Sequence, residues 1–380
     1  MTTQFDEDLR GWPAGDRIVN VRTVAVNLPL RRPVAFSTRR LTSREFVLVR
    51  IETADGIEGI GYTYGGRVVA TAIEVNLESR LLGQPAGAIE SLWRSMYQET
   101  LLLGRRGAVV RAISAVDIAL WDILGKRAGL PLYRLLGGER SRVPAYFSGG
   151  YHREGETLDD IAAEAGRAVA AGYDAMKIKV GLAPRQQDLE RIRVVREVLG
   201  PERQLALDAN NAWRNAADAL PVIRAMEAYA PWWIEEPLSP DDIAGHARLA
   251  ADLLTPVATG EIEATRWGFL ALIENKAADI LQPDACVLGG VTEWIKVAHL
   301  AAAHGIAVAP HWNADIHAHL AAATPNCSVV EYFDLEEDVY NFDLVLAEHL
   351  TVTDGWITVS NRPGVGLVLD EAAVDRYRIP

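Results

Sequence analysis

Eight short runs rich in apolar and β-branched residues recur between residues 143 and 333, and almost every one ends in a charged or polar side chain. They cover 143–148, 174–180, 204–210, 232–237, 256–261, 279–284, 306–311 and 329–333, separated by long Ala/Leu/Arg-rich stretches of helical character. The spacing is mostly 20 to 30 residues, close to the roughly 30 residues per βα unit of a barrel of about 250 residues. Strands that alternate with helices run parallel. Such strands are buried on both faces and should read as continuously apolar, so charge at their ends requires a reason. Periodicity alone leaves a closed barrel and a doubly wound open sheet both open.

The flanks differ in texture. Residues 18–27 and 45–53 alternate apolar and polar, as strands do. Asp55-Gly56 offers a tight turn into 58–63, which predicts a hairpin. Farther on, Val109, Ile113, Val116, Leu120 and Ile123 mark one helix face, ended by Gly129 and Pro131. The first 142 residues therefore read as an α+β unit, 143–350 as the alternating domain, and 351–380 as a β-rich tail rejoining the first unit.

Totals narrow the function. A chain of 380 residues, 49% apolar, can bury a large core. Its 51 acidic and 38 basic residues give a net charge of -13, which disfavours nucleic acid and anionic membranes as partners. Two cysteines, Cys286 and Cys327, cannot build a disulfide framework or a thiolate zinc site. The opening MTTQFDEDLR is acidic and polar, and no run reaches membrane-span length. A soluble cytoplasmic protein, forming a homo-oligomer, is expected.

In barrel enzymes the C-terminal strand ends carry the active site. The ends here offer Lys177 and Lys179, Asp208 and Asn210, Glu235 and Glu236, Glu261, Asp284 and His311, with Glu331 in the eighth run. Each alone has an ordinary reading, such as a helix cap or a solvated edge. Seven strands converging on one site is the better account of all of them together. Side chains at i and i+2 share a strand face, so Lys177 pairs with Lys179 and Asp208 with Asn210. Parity also says that only one of Glu235 and Glu236 points inward, without saying which.

Three carboxylates on adjacent strands, Asp208, Glu235 and Glu261, suit a hard divalent cation such as magnesium. His311, His317 and His319 offer a weaker case for zinc, since His317 and His319 are two apart on a helix-like stretch. A divalent cation with three carboxylates nets about -1, and Lys177 and Lys179 reverse that sign, leaving room for a substrate carboxylate. A carboxylate on a cation acidifies its α-proton. Lys179 on one side and His311 nearly opposite, with Asp284 to orient the imidazole, are the candidate bases.

These segments together resemble the enolase superfamily, and within it the mandelate racemase subgroup. The resemblance rests on ISAVDIALWDILGK, PLYRLLGG, MKIKVG, LALDANNAW, WIEEP, TGE, LQPDACVLGGVTEW, APHWNADIHAHLAAATP and PGVGL, and covers nearly the whole chain. It implies a modified TIM barrel, (β/α)7β, under an α+β N-terminal capping domain. It implies that Asp208, Glu235 and Glu261 hold Mg2+, choosing Glu235 over Glu236. Lys179 becomes one α-proton base, with Lys177 helping to bind the carboxylate and lower the base's pKa. His311 paired with Asp284 becomes the other base. Glu331 becomes the acid on the substrate carboxylate, and Asn210 a contact of the α-hydroxyl. The Asp284–His311 pair sets the chain apart from muconate-cycloisomerase-like members and from enolase.

The motifs permit dehydration or racemisation. The pairing of DANNAW, WIEEP and APHWN resembles the acid-sugar dehydratases. A predicted capping loop over 29–41 carries Arg31, Arg32, Arg39 and Arg40, and a second carries Tyr62, Tyr64 and Arg67. Arg39 and Tyr62 are the candidate substrate contacts, suited to a polyhydroxylated, even dicarboxylic, acid. The expectation is a carbon–oxygen lyase that converts an aldonate or aldarate into a 2-keto-3-deoxy acid. A racemase or epimerase of an α-hydroxy acid is the alternative, and a non-catalytic relative kept for binding is a third reading, against which the complete set of carboxylates and bases argues.

Overall fold

The structure is a computed structural model that describes residues 11–380. The acidic stretch at residues 1–10 lies outside it. An antiparallel sheet opens the chain: β1 (Ile18–Phe36), β2 (Arg39–Thr53) and β3 (Glu58–Tyr64). Asp55-Gly56 makes the predicted turn between β2 and β3, with Gly56 at φ +83°. The expected loop over 29–41 is instead the far half of a long hairpin. Pro29 and Pro33 cannot donate to a ladder, and the register slips between Pro29 and Val34, after which pairing resumes up to Phe36 and Arg39. This hairpin leaves its own sheet and reaches over the second domain. Ala35 exchanges both backbone hydrogen bonds with His152, at 2.8 and 2.9 Å, and Ser37 Oγ donates to the Asn210 carbonyl at 2.8 Å.

Eight parallel strands follow: β4 (Arg142–Ser148), β5 (Ala175–Lys179), β6 (Gln204–Asp208), β7 (Ile234–Glu235), β8 (Val257–Thr259), β9 (Ile280–Leu281), β10 (Ala307–Val308) and β11 (Val330–Tyr332). All eight predicted runs are strands, most of them shorter than the runs that announced them. β4 to β10 stand side by side in chain order, and β11 pairs with β4. A bridge from Val308 to Cys327 joins β10 to the segment entering β11. A doubly wound sheet would reverse its order at a switch point, and none does.

Parity divides the side chains into two sets. Met176, Ile178, Leu205, Leu207, Ile234, Val257 and Leu281 belong to the main core that the helices cover. A small separate cluster of Tyr146, Ala175, Ala206, Trp233, Ala258, Ala309 and Val329 fills the opposite face. Six of its members stand two residues before Ser148, Lys177, Asp208, Glu235, His311 and Glu331. An apolar floor, mostly alanine, thus lies beneath the polar strand ends.

The tail divides its attachments. β12 (Thr351–Thr353) and β13 (Trp356–Thr358) form a hairpin on β4 rather than on the first sheet. The final helix Glu371–Tyr377 returns to the first sheet, where Arg50 pairs with Glu371 and the Ile379 N–H donates to Ala25. Among the described residues no helix is long and apolar enough to cross a membrane.

Helix Ala108–Ala128 welds the two domains. One face lies against β3 so closely that a Cβ at Gly61 would sit 2.0 Å from the Ala115 carbonyl oxygen, and one at Gly59 2.2 Å from that of Ala119. From another face Asp117 accepts from both Thr292 N–H (3.0 Å) and Thr292 Oγ (2.6 Å) at the start of helix Gly290–Ala303. Gly61→Ala is expected to cost about 1–3 kcal/mol or more by forcing helix and strand apart. Gly166→Ala, inside helix Leu158–Ala170 with nothing within 4 Å of a new Cβ, should instead gain up to about 1 kcal/mol. Urea unfolding of both variants checks the pair, and equal effects would mean the close approach at Gly61 is not a constraint.

Candidate active site

Lys177 and Lys179 face inward from β5 while Ile178 packs outward. In register with Lys179 stand Asp208 at the end of β6 and Glu235 at the end of β7. Glu261, Asp284 and His311 lie just beyond β8, β9 and β10, and Glu331 is the middle residue of β11. All of these side chains converge on one end of the sheet, as the strand-end reading requires.

The Lys177 ammonium, 1% exposed, lies 2.5 Å from Glu235 Oε1, 2.7 Å from Glu331 Oε1 and 3.6 Å from Asp208 Oδ2. Burial opposes its charge, but Glu235 and Glu331 outweigh that and raise its pKa well above the usual lysine value. Lys179 Nζ donates to Asp208 Oδ2 and sits 4.7 Å from the Tyr151 ring centroid. Burial pulls its pKa down, Asp208 pushes it up and Lys177 opposes that push; the net direction is upward. Lys177 opposes the upward push on Lys179, but the adjacent Asp208 contributes more.

One oxygen from each of Asp208, Glu235 and Glu261 lies within 4.8 Å of the others. Glu261 Oε2 is buried with no hydrogen-bond partner. Burial and the neighbouring Asp208 push Glu235 up to about 8, against the pull of Lys177. Carboxylates packed this tightly repel one another, and a hard divalent cation relieves the repulsion with the oxygen donors it prefers. The residues present fit magnesium.

Parity fails at Glu236. Glu235 is the last residue of β7, and Glu236 turns to φ +40°, so strand alternation no longer governs it. Both glutamates are buried beside the site. Glu235 is held from below by Trp233 Nε1 (2.9 Å) and Gln282 Nε2 (2.7 Å), whereas neither Glu236 oxygen has a hydrogen-bond partner. Asn210, Asn211, Trp312 and Asn313 also take positive φ at these strand ends, the strain expected where backbone serves a site.

His311 Nδ1 lies 3.1 Å from Asp284 Oδ2, and its Nε2 3.5 Å from Glu261 Oε2. Asp284 is fully buried and accepts from Asn313 Nδ2 (3.0 Å to each oxygen) and the Cys286 N–H (2.8 Å). Burial alone would lower the pKa of His311, but Glu261 and the Asp284 hydrogen bond raise it to about 9. Glu331 accepts from Ser148 Oγ (2.6 Å) and the Trp312 N–H (2.7 Å); burial raises its pKa, but Lys177 and His311 bring it down to about 2. His317 and His319 hydrogen-bond to backbone groups, His317 to Ala285 N–H and Trp312 O, His319 to Tyr133 N–H and Val365 O. They are structural, and no zinc cluster forms from them.

A cavity of about 390 Å³ opens between the domains above Lys179, Asn210, Glu236, Glu261 and His311. The Oδ1 of Asn210 is buried and unpartnered. From the first domain Phe36, Arg39, Arg44, Tyr64 and Arg111 close it. Of the four predicted loop arginines only Arg39 lines it. Arg31 reaches Asp338, Arg40 reaches Glu154, and the Arg32 N–H donates to Asp338. Arg67 faces Glu74 at the surface. Tyr62 does not reach the cavity. It stacks on Phe342 at 4.0 Å and meets the Tyr340 hydroxyl at 3.3 Å, one step deeper on β3 than Tyr64, which takes the wall position.

Sequence reasoning missed Arg44, Arg111, Tyr151 and Trp312. Arg44 carried a readable signal, since it shares a strand face with Phe46 and Leu48, both in the main core. A charge on the apolar face of a strand calls for an explanation.

Two family models match the chain: "Mandelate racemase / muconate lactonizing enzyme, N-terminal domain" over residues 18–137 and "Enolase C-terminal domain-like" over residues 160–373. Arabinonate dehydratase of Saccharolobus solfataricus is 36% identical over 88% of this chain and 91% of its own length. L-talarate/galactarate dehydratase of Salmonella typhimurium is 38% identical over 94% of this chain and 90% of its own. A solved structure of a racemase from Streptomyces coelicolor A3(2) with bound magnesium matches with a TM-score of 0.89 and 36% identity, over 95% of this chain and 100% of that one. The parallel strands are thus those of a TIM-barrel-like fold under an N-terminal cap. With both models matched in order and relatives aligned along almost the full length, the chain belongs to the mandelate racemase and muconate lactonizing enzyme family of the enolase superfamily.

Proposed function

We propose that this protein is a magnesium-dependent dehydratase of a sugar acid, an aldonate or aldarate, built on a (β/α)7β barrel under an α+β cap. One observation carries the reading: Lys179 and His311, from β5 and from the end of β10, face one cavity beside a three-carboxylate cluster. The dehydratases among the relatives support the choice of reaction.

Asp208, Glu235 and Glu261 would hold the cation. A cation held there would supply positive charge beside which the enolate's second negative charge could develop. Lys177 is fixed between Glu235 and Glu331 and, with Glu331, engages the substrate carboxylate. Asn210 contacts the α-hydroxyl through its unpartnered Oδ1. Lys179, whose partner Asp208 would be one of the ligands, would serve as the base. It takes the α-proton, and the C–H electron pair enters the system conjugated with the carboxylate. His311, oriented by Asp284, gives a proton to the β-hydroxyl as the C–O bond breaks. Water leaves, and the enol tautomerises to a 2-keto-3-deoxy acid. Racemisation or epimerisation of an α-hydroxy acid is the second reading. It is favoured by the two bases on different strands and by the Streptomyces coelicolor relative. Screening aldonates and aldarates for keto-acid formation separates the two, since inversion of the α-carbon with no keto acid from any substrate would select the second.

Removing metal with a chelator should abolish turnover, and magnesium should restore it, with manganese a partial substitute. In calorimetric titrations with magnesium, Glu235→Gln should weaken binding far more than Glu236→Gln. Equal losses would make Glu236 a ligand too, and turnover by metal-free protein would end the metal assignment.

His311→Asn should lower dehydration by at least the ~10²–10⁴ typical of one acid-base group, and Asp284→Asn by less, since it disorients the imidazole without removing it. Lys179→Ala should lose both keto-acid formation and exchange of the α-proton in D₂O, followed by NMR. If the lysine variant still exchanges that proton, His311 is the base that removes it. Near wild-type dehydration by His311→Asn would overturn the mechanism.

A further inference from the structure

The carboxylate cluster, Lys177 and Glu331 account for one acid group of a substrate. The opposite wall of the cavity carries positive charge to which the mechanism gives no use. Arg44 comes from β2 and Arg111 from the first turn of helix Ala108–Ala128, and both line the cavity. The Arg44 guanidinium carbon lies 4.5 Å from the centroid of the Trp312 ring and that of Arg111 4.1 Å from the Tyr64 ring, while the two rings are 5.1 Å apart. Two guanidiniums are thus laid on two neighbouring aromatics. Stacking occupies the flat face of a guanidinium and leaves its edge donors free, the fork that matches a carboxylate.

Those donors are little used within the protein. Arg44 gives its Nε to the Val339 carbonyl at 2.8 Å and also hydrogen-bonds Tyr151, and the Nε of Arg111 is buried without a partner. Among the described residues neither guanidinium has a carboxylate within 4.0 Å, although Arg31, Arg40, Arg106 and Arg153 nearby in the fold are all paired. Glu45 also lines the cavity, and with Arg39 the wall still carries three positive charges against one negative. Unpaired cations packed on aromatics in a chain with 51 acidic residues mark a place kept for an incoming anion.

We propose that Arg44 and Arg111 form a subsite for a second carboxylate, and that the substrate is a sugar dicarboxylic acid rather than an aldonate. This rests on the dehydratase reading and deepens it. Trp312 follows His311 in the chain, so a substrate whose α-carbon meets His311 extends along the Trp312 and Tyr64 rings toward the two guanidiniums. An aldonate would bring a neutral hydroxymethyl group there and leave the donors unfilled.

The test pairs each aldarate with the aldonate of the same configuration. Wild type should favour the aldarate in kcat/KM by about 10–10²-fold, the range for hydrogen bonds to charged groups. Arg44→Met and Arg111→Met should each lose most of that preference through KM, leave aldonate turnover within about threefold, and be partly rescued by Arg→Lys. Retained aldonate turnover shows that the variants fold. Calorimetry of both acids with magnesium-loaded Lys179→Ala protein reads the same discrimination without catalysis. Equal kcat/KM of wild type on an aldonate and its matching aldarate, or equal losses on both in the arginine variants, would overturn the subsite and leave the dehydratase reading standing. Tight arginine-dependent binding of aldarates that wild type never dehydrates would support the subsite and overturn the dehydratase reading.

Discussion

A lysine ammonium with 1% exposure is the constraint around which the site is organised. Removing a charge from water costs several kcal/mol even after the protein relaxes, and Lys177 remains charged only because Glu235, Glu331 and Asp208 surround it. Those carboxylates in turn would repel one another without it. Each comes from a different strand, so the electrostatic balance is met only in the assembled sheet. Trp233, Gln282, Ser148 and the Trp312 N–H hold the glutamates from beneath and beside. The glutamates are therefore hydrogen-bonded in place before any ligand arrives, the form of preorganisation that catalysis uses.

Beneath that layer the sheet is small-sided. Ala175, Ala206, Ala258 and Ala309 leave room for the bulk of Trp233 and Tyr146, and together they seal the interior below the charges. The separation of roles by parity is what made the barrel side of the site legible in the sequence. Where a strand persists to the functional residue, as at Lys177, Lys179 and Asp208, alternation groups the side chains that share a face. Where the strand has ended, as at Glu236 with its positive φ, the rule has no hold and a side chain expected to turn away stays at the site.

The cap was less legible for a related reason. Its cavity wall is drawn from a hairpin tip, a strand edge and a helix terminus that are far apart in sequence and share no period. Arginines on the hairpin arm attracted the substrate role, yet Arg31 pairs with Asp338 and Arg40 with Glu154, while Arg32 meets Asp338 only through its backbone N–H. Tyr62 and Tyr64 share a strand face, and only the depth of burial separates a core tyrosine from a wall tyrosine. Depth depends on the segment around Tyr340 and Phe342, nearly 280 residues on and outside the reach of local pattern. Arg44, on the face of Phe46 and Leu48, was the readable exception.

Trp312 holds Glu331 through its backbone N–H, is peptide-bonded to His311, and lays its ring between Arg44 and Tyr64. A substitution there cannot alter one end of the cavity alone, since it shifts the histidine, the glutamate's anchor and the aromatic wall together. For a lineage that diversifies by trading one substrate for another, such a residue is a poor place to begin. Change in what the cavity accepts is freer to enter through the cap, whose Arg39, Tyr64 and Arg111 meet the cavity from elements other than those that carry Lys179 and His311.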